Sequence, residues 1–150
     1  MSQPSRRLKG DRGLAARGRR AALMRVVHLD ALGAFTTLDG AQIREVARME
    51  NQTLAEAVVP PGGETFAHFH AFEEVYFFTS GRGRMRLGDE EADVRAGDCV
   101  PIPPGVAHKL WAGPDEPLVL LCGCAPPYSD EGTTMLEGPK AGLSEATRPD

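Results

Sequence analysis

Apolar and polar positions alternate with a period of two along most of the chain, the pattern of strands that bury one face and wet the other. Short apolar runs at residues 26–29 and 35–38 are bounded by Asp and Gly, as strands are. Residues 41–50 also fit a helical stripe through Ile43, Val46, Ala47 and Met49, but every neighbouring segment reads as β, and a strand is expected there. Residues 54–59 lead into Pro60-Pro61-Gly62-Gly63, a turn on composition alone. Strands are expected again at 64–70 and 74–79, with a bend at 71–73 and a reversal at Ser80-Gly81. Residues 84–87 and 91–95 flank Gly88-Asp89 as a hairpin, and 98–102, 107–111 and 118–124 complete the set. About ten short strands at intervals of roughly 8 to 12 residues predict an all-β sandwich or barrel.

A chain of 150 residues accommodates one domain with a single core. Its 41% hydrophobic and 25% charged residues are ordinary for a water-soluble globular fold. No run approaches the roughly 18 apolar residues of a membrane span, so no membrane partner is expected. Cys99, Cys122 and Cys124 are odd in number and lack a CxxC spacing. They read as small buried hydrophobes in strands, which points to a reducing, cytoplasmic compartment. The net charge of −4 hides a split, because residues 1–24 hold seven Lys or Arg against Asp11 alone. That arm is read as disordered. The remaining body is acidic and argues against nucleic acid as the main partner.

The candidate chemistry lies in His68, His70, Glu74 and His108. On a strand, His68 and His70 share one face, so two imidazoles aim at one point. Neutral imidazole nitrogen with carboxylate oxygen suits borderline divalent ions such as Mn, Fe, Ni, Zn or Cu. Three imidazoles and a carboxylate inside a small barrel need compensation, and a metal ion supplies it. His28 lies outside this spacing and reads as a surface or strand-edge histidine without a role.

Around these residues the punctuation is regular. Gly62, five residues, His68-Phe69-His70, three residues, Glu74, six residues and Gly81 form one block; Gly97, five residues, Pro103-Pro104-Gly105, two residues and His108 form a second, fifteen residues beyond the first. This resembles the paired signature of the cupin superfamily over residues 62–108. One position departs from it: Ala112 stands where the signature commonly closes with Asn, which removes a polar group beside the site and no ligand. The resemblance selects Glu74 over the adjacent Glu73, which should face solvent.

The resemblance implies a double-stranded β-helix, the jelly-roll barrel, over residues 25–137, between the basic arm 1–24 and a flexible tail 138–150. It also implies one divalent ion (Mn, Fe, Ni or Zn) on His68, His70, Glu74 and His108, a small-molecule substrate and a homodimer. Four protein donors leave one or two coordination positions open. The ion then serves as Lewis acid on an oxygen-rich substrate, as in the isomerase, epimerase, decarboxylase and lyase branches, with Glu74 as the candidate catalytic base. The same donors recur in iron or nickel dioxygenases, and some cupins only bind ligands. Arg44, Arg82, Arg84 and Arg86 are candidate anion anchors weighed against solvated strand positions. Gly62, Gly81, Gly97 and Gly105 are expected to reverse the chain. Phe66, Phe69, Phe72, Tyr76, Phe77 and Phe78 are expected mostly in the core, with one or two of the same parity as the ligands lining an apolar pocket around the metal. Residues 126–134 read as a loop able to fold over the barrel mouth.

Overall fold

A computed structural model describes residues 23–139. The basic arm and the C-terminal tail therefore lie outside the described residues, apart from Leu23, Met24, Gly138 and Pro139. Among the described residues eleven strands follow in order: β1 (Phe35–Thr36), β2 (Gln42–Arg48), β3 (Thr53–Val59), β4 (His68–His70), β5 (Glu73–Ser80), β6 (Arg82–Leu87), β7 (Glu90–Arg95), β8 (Cys99–Ile102), β9 (His108–Ala112), β10 (Leu118–Ala125) and β11 (Thr133–Met135). They form a six-stranded sheet ordered β1-β2-β3-β10-β5-β8 and a five-stranded sheet ordered β11-β4-β9-β6-β7. All the named pairings are antiparallel. The all-β double-sheet barrel expected from the alternation is what forms, and among the described residues no helix is long and apolar enough to cross a membrane.

The alternation decides which side chains enter. Along β5 the burial alternates strictly, with Glu74, Tyr76 and Phe78 inside and Val75 and Phe77 outside. Glu73 is exposed, as expected. The two-residue Gly88-Asp89 turn joins β6 to β7, pairing Leu87 with Glu90. The ambiguous stretch at 41–50 is strand β2, paired with β3 through a register shift between Glu45 and Ala47. Between β5 and β6 the chain reverses at Gly81 (φ 84°), where an added Cβ would meet the Pro117 carbonyl oxygen at 2.0 Å. Gly62, Gly97 and Gly105 also have positive φ (68°, 96° and 78°), in agreement with their expected role as turns.

Several expectations are corrected. Residues 26–29 form no strand; a single 3-10 turn, Leu29–Ala31, stands there, capped by His28 Nδ1 accepting from the Asp30 N–H at 3.1 Å. Of residues 64–70 only His68–His70 form a regular strand, preceded by an isolated bridge between Glu64 and Trp111. The loop expected at 126–134 runs on into strand β11, which pairs with β4. Thr133 and Thr134 supply the β-branched residues for it, but three residues are too short a run to announce a strand. Cys99 is exposed while Cys122 and Cys124 are buried. Phe77 is 44% exposed, because its parity on β5 places it outside.

The core lies between the sheets at one end of the barrel. Phe78, Leu118 and Leu120 are fully buried, with Val59, Met85, Val94, Ile102 and Leu110 around them. Packing there is close: a Cβ on Gly83 would lie 2.1 Å from the Trp111 carbonyl oxygen of the neighbouring strand and 2.9 Å from the Leu118 side chain of the opposite sheet. The other end is polar.

Candidate metal centre

His68, His70, Glu74 and His108 are all buried, and one ligand atom from each lies within 4.8 Å of all the others. Strand geometry brings them together. His68 and His70 point the same way from β4, and His68 is the direct cross-strand partner of His108 on β9, which places their rings 4.3 Å apart. The Pro103-Pro104-Gly105 turn delivers His108 and is tied to β4 by the Gly105 N–H donating to the His70 carbonyl at 2.8 Å. Glu74 comes from the opposite sheet, its Oε1 lying 3.3 Å from His70 Nε2 and 3.2 Å from His108 Nε2.

The hydrogen bonds on the far side of each ring fix its tautomer. Nδ1 of His68 meets the Phe66 carbonyl at 2.8 Å, and Nδ1 of His108 meets the Val106 carbonyl at 3.0 Å. A carbonyl only accepts, so each Nδ1 carries the proton. His70 Nδ1 meets Thr133 Oγ1 at 2.8 Å, and that hydroxyl already donates to the Ser129 carbonyl at 2.9 Å, so it too accepts. Each neutral imidazole therefore holds its lone pair on Nε2. These lone pairs and the Glu74 carboxylate bring acceptors together without a donor between them. Glu74 Oε1 and His108 Nε2 are indeed buried without a hydrogen-bond partner. A cation is what such a donor set lacks, and the four residues could hold a divalent metal ion.

The protonation states favour the same outcome. Burial pushes the His68 imidazole below its ordinary value, opposed by Asp39 and reinforced by His108 and His70. Burial alone would raise Glu74; a proton held between its Oε1 and the Nε2 atoms of His108 and His70, in the place a cation would take, outweighs that and holds the carboxyl well below the usual carboxylate range. Deprotonated ligands are what metal binding needs.

Four contributors escape the sequence reading. Thr133 is the register partner of His70 across β11 and β4, 63 positions away in the chain. Cys124 pairs with Glu74 across β10 and β5 and donates its thiol hydrogen to Glu74 Oε2 at 3.2 Å. Burial and the Glu74 charge push that thiol upward, which keeps it a donor to Glu74. Asp39, in the turn between β1 and β2, has Oδ2 3.8 Å from His68 Nε2. Tyr128 stands edge-on to His70 at 5.7 Å. Phe72, by contrast, comes from the expected aromatic group and stacks on His70 at 4.5 Å. None of the first four has a local sequence signal; Asp39-Gly40 reads only as a turn.

The centre opens into a cavity of about 60 Å³ between the sheets. Its floor is apolar (Ala57, Val59, Leu110, Leu120), and Tyr76 and Thr65 add hydroxyls. Of the candidate anion anchors none lines it. Arg44 pairs with Glu56, and Arg84 with Glu91 and Asp93; the Arg86 guanidinium lies over Trp111 at 5.8 Å. Arg82 is exposed. Their parity on the strands turns all four away from the interior.

Comparison with known proteins agrees with this architecture. An uncharacterised protein of Methanocaldococcus jannaschii is 41% identical over 114 residues, covering 72% of this chain and 91% of the relative. The polyketide cyclase RemF of Streptomyces resistomycificus superposes with a TM-score of 0.64 at 24% identity, covering 82% of this chain and 89% of its own. A Streptomyces nucleoside dehydratase superposes with a TM-score of 0.65 at 14% identity, over 77% of this chain and 92% of the dehydratase. Residues 55–124, which span His68, His70, Glu74 and His108, match the family model of the cupin domain, and the chain belongs to the cupin superfamily.

Proposed function

We propose that the protein is a mononuclear divalent-metal enzyme acting on a small oxygen-rich molecule in an isomerase-like or lyase-like reaction. The observation that carries this reading is the convergence of three carbonyl- or hydroxyl-oriented imidazoles and one carboxylate beside a cavity that no Lys or Arg lines among the described residues. A divalent ion held by His68, His70, Glu74 and His108 would supply Lewis acidity toward a carbonyl or hydroxyl oxygen. The protein's own residues do the remaining work. The apolar floor excludes water and favours a compact ligand. Phe72 packs against His70 and keeps its ring in place. Glu74 would serve as the base, its Oε1 facing the imidazole cluster while the Cys124 hydrogen bond anchors Oε2. Kinship in fold with a nucleoside dehydratase and a polyketide cyclase supports small-molecule chemistry in such a barrel.

The exposed Leu54, Val75 and Phe77, on the outer face of the larger sheet, support pairing of two copies, and three unpaired cysteines support a reducing cytoplasmic setting.

Elemental analysis of purified protein beside the His68→Ala variant tests the reading. Close to one equivalent of a divalent metal is expected in the first and little in the second; equal content would overturn the assignment. Aerobic and anaerobic turnover of the metal-loaded protein on hydroxy-carbonyl substrates should match. Oxygen consumption would instead identify the iron or nickel dioxygenase, and binding without turnover a ligand-binding cupin.

A further inference from the structure

Asp39 has no part in the ligand set, yet it faces the same cavity. Its Oδ1 accepts from the Thr37 hydroxyl and from the Ala41 N–H at 3.1 Å. That leaves Oδ2 turned toward the imidazole lone pairs, 3.8 Å from His68 Nε2 and with only 15% of the side chain exposed. The turn holding it is fixed, since the Asp39 carbonyl accepts from the Phe66 N–H at 2.7 Å, two residues before His68.

The cavity's charge is one-sided. Its lining includes Asp39, Glu45 and Glu74, and among the described residues that line it there is no Lys or Arg. Glu45, at the mouth, is paired with Arg48 through contacts of 2.9 and 3.1 Å, and Arg48 also donates to the Tyr128 carbonyl. Glu74 belongs to the ligand set. Asp39 is then the carboxylate that no Lys or Arg offsets among the described residues.

A divalent ion beside Glu74 alone would keep one net positive charge, enough to draw in an anionic oxygen. Asp39 would cancel it, since its Oδ2 lies 3.8 Å from the His68 Nε2 that would hold the ion. Resting on the metal reading above, we infer that Asp39 sets the charge class of the substrate: a small neutral molecule that presents a hydroxyl hydrogen to Asp39 Oδ2, with carboxylates and phosphate esters turned away. Such a hydroxyl satisfies Asp39, whereas an anionic oxygen leaves two negative groups facing each other.

Glycolamide and glycolate share a skeleton and differ by one charge, which makes them the probes. Their binding to cobalt(II)-loaded protein is followed by visible absorption, after metal content has been measured. Wild type should bind glycolamide at least as tightly as glycolate, although the free ion prefers the anion. Asp39→Asn keeps the Oδ1 acceptor and should invert the order, raising glycolate affinity by about tenfold or more; Asp39→Glu should keep the wild-type order. A wild type that prefers glycolate, an unchanged ratio in Asp39→Asn, or binding of neither probe to loaded protein would each overturn the inference. If Asp39→Asn fails to fold, the wild-type order alone decides. Failure of wild type to retain cobalt is a separate outcome, one that removes the metal reading itself.

Discussion

The two ends of the barrel are built on the same strands and have opposite chemistry. Inward positions on β5 run Glu74, Tyr76, Phe78; on β10 they run Cys124, Cys122, Leu120, Leu118; on β9, His108 is followed by Leu110. One end is filled by side chains that need nothing further: Phe78, Leu118 and Leu120 have no exposed surface and carry no polar atom beyond the backbone. The other end buries polar groups whose demands the protein meets only in part, leaving Glu74 Oε1 and His108 Nε2 without partners. The backbone ladder is common to both, so the difference lies in residue identity at alternate positions. Stability is concentrated where the side chains are apolar, and binding capacity where they are not.

The largest effect should come from truncating the closed end. Phe78→Ala removes a fully buried ring and should lower stability by about 3–5 kcal/mol, read as a urea midpoint shift in chelator-treated protein. Under the same conditions His68→Ala should lose under about 1 kcal/mol, because it also removes one of several crowded acceptors. Equal losses would mean that the polar end carries as much of the fold as the core, and the contrast would fail.

Much of this contrast is written in the chain. Period-two alternation identifies the strands that matter, and the spacing of His68, His70, Glu74 and His108 picks out the four side chains that converge in the barrel, because both depend on local geometry that a strand enforces. Long-range register is not written locally. That Thr133 faces His70, that Cys124 faces Glu74 and that Asp39 reaches His68 follow from which strands and turns adjoin in the folded barrel. Residues 26–29 show the reverse error: four apolar or near-apolar residues suggest a strand, but no sheet edge takes them up, and Leu29–Ala31 closes into a single 3-10 turn. The four arginines were ambiguous for the same reason, since facing depends on parity and parity on where each strand begins.

A smaller effect tests how far the polar end depends on its surroundings. Thr133→Val keeps the shape of β11 but removes the acceptor for His70 Nδ1, freeing the ring to place its proton on Nε2 and leave the centre. Metal affinity should fall about 10- to 100-fold while the urea midpoint stays near wild type. Thr133→Ser should restore most of the affinity, because the hydroxyl returns. A midpoint loss as large as that of Phe78→Ala would show that β11 supports the fold rather than the centre.

The smallest effect is a pH dependence confined to the polar end. In chelated protein His68 is held below its ordinary value of 6.5, so below that pH the unfolded chain binds a proton that the native chain refuses. Stability must therefore decline as pH falls through 6.5. Glu74 acts in the same direction but later: it stays ionised in the native chain while its unfolded counterpart takes up a proton near 4.5, so its contribution is complete above that pH and is lost on further acidification. The urea midpoint should fall in two stages, each group adding a slope of at most about 1.4 kcal/mol per pH unit. His68→Gln should flatten the first stage and leave the second. A wild-type midpoint that is level from pH 7 to pH 5 would mean that His68 is protonated as readily inside the barrel as outside. Burial would then not be what keeps its lone pair free.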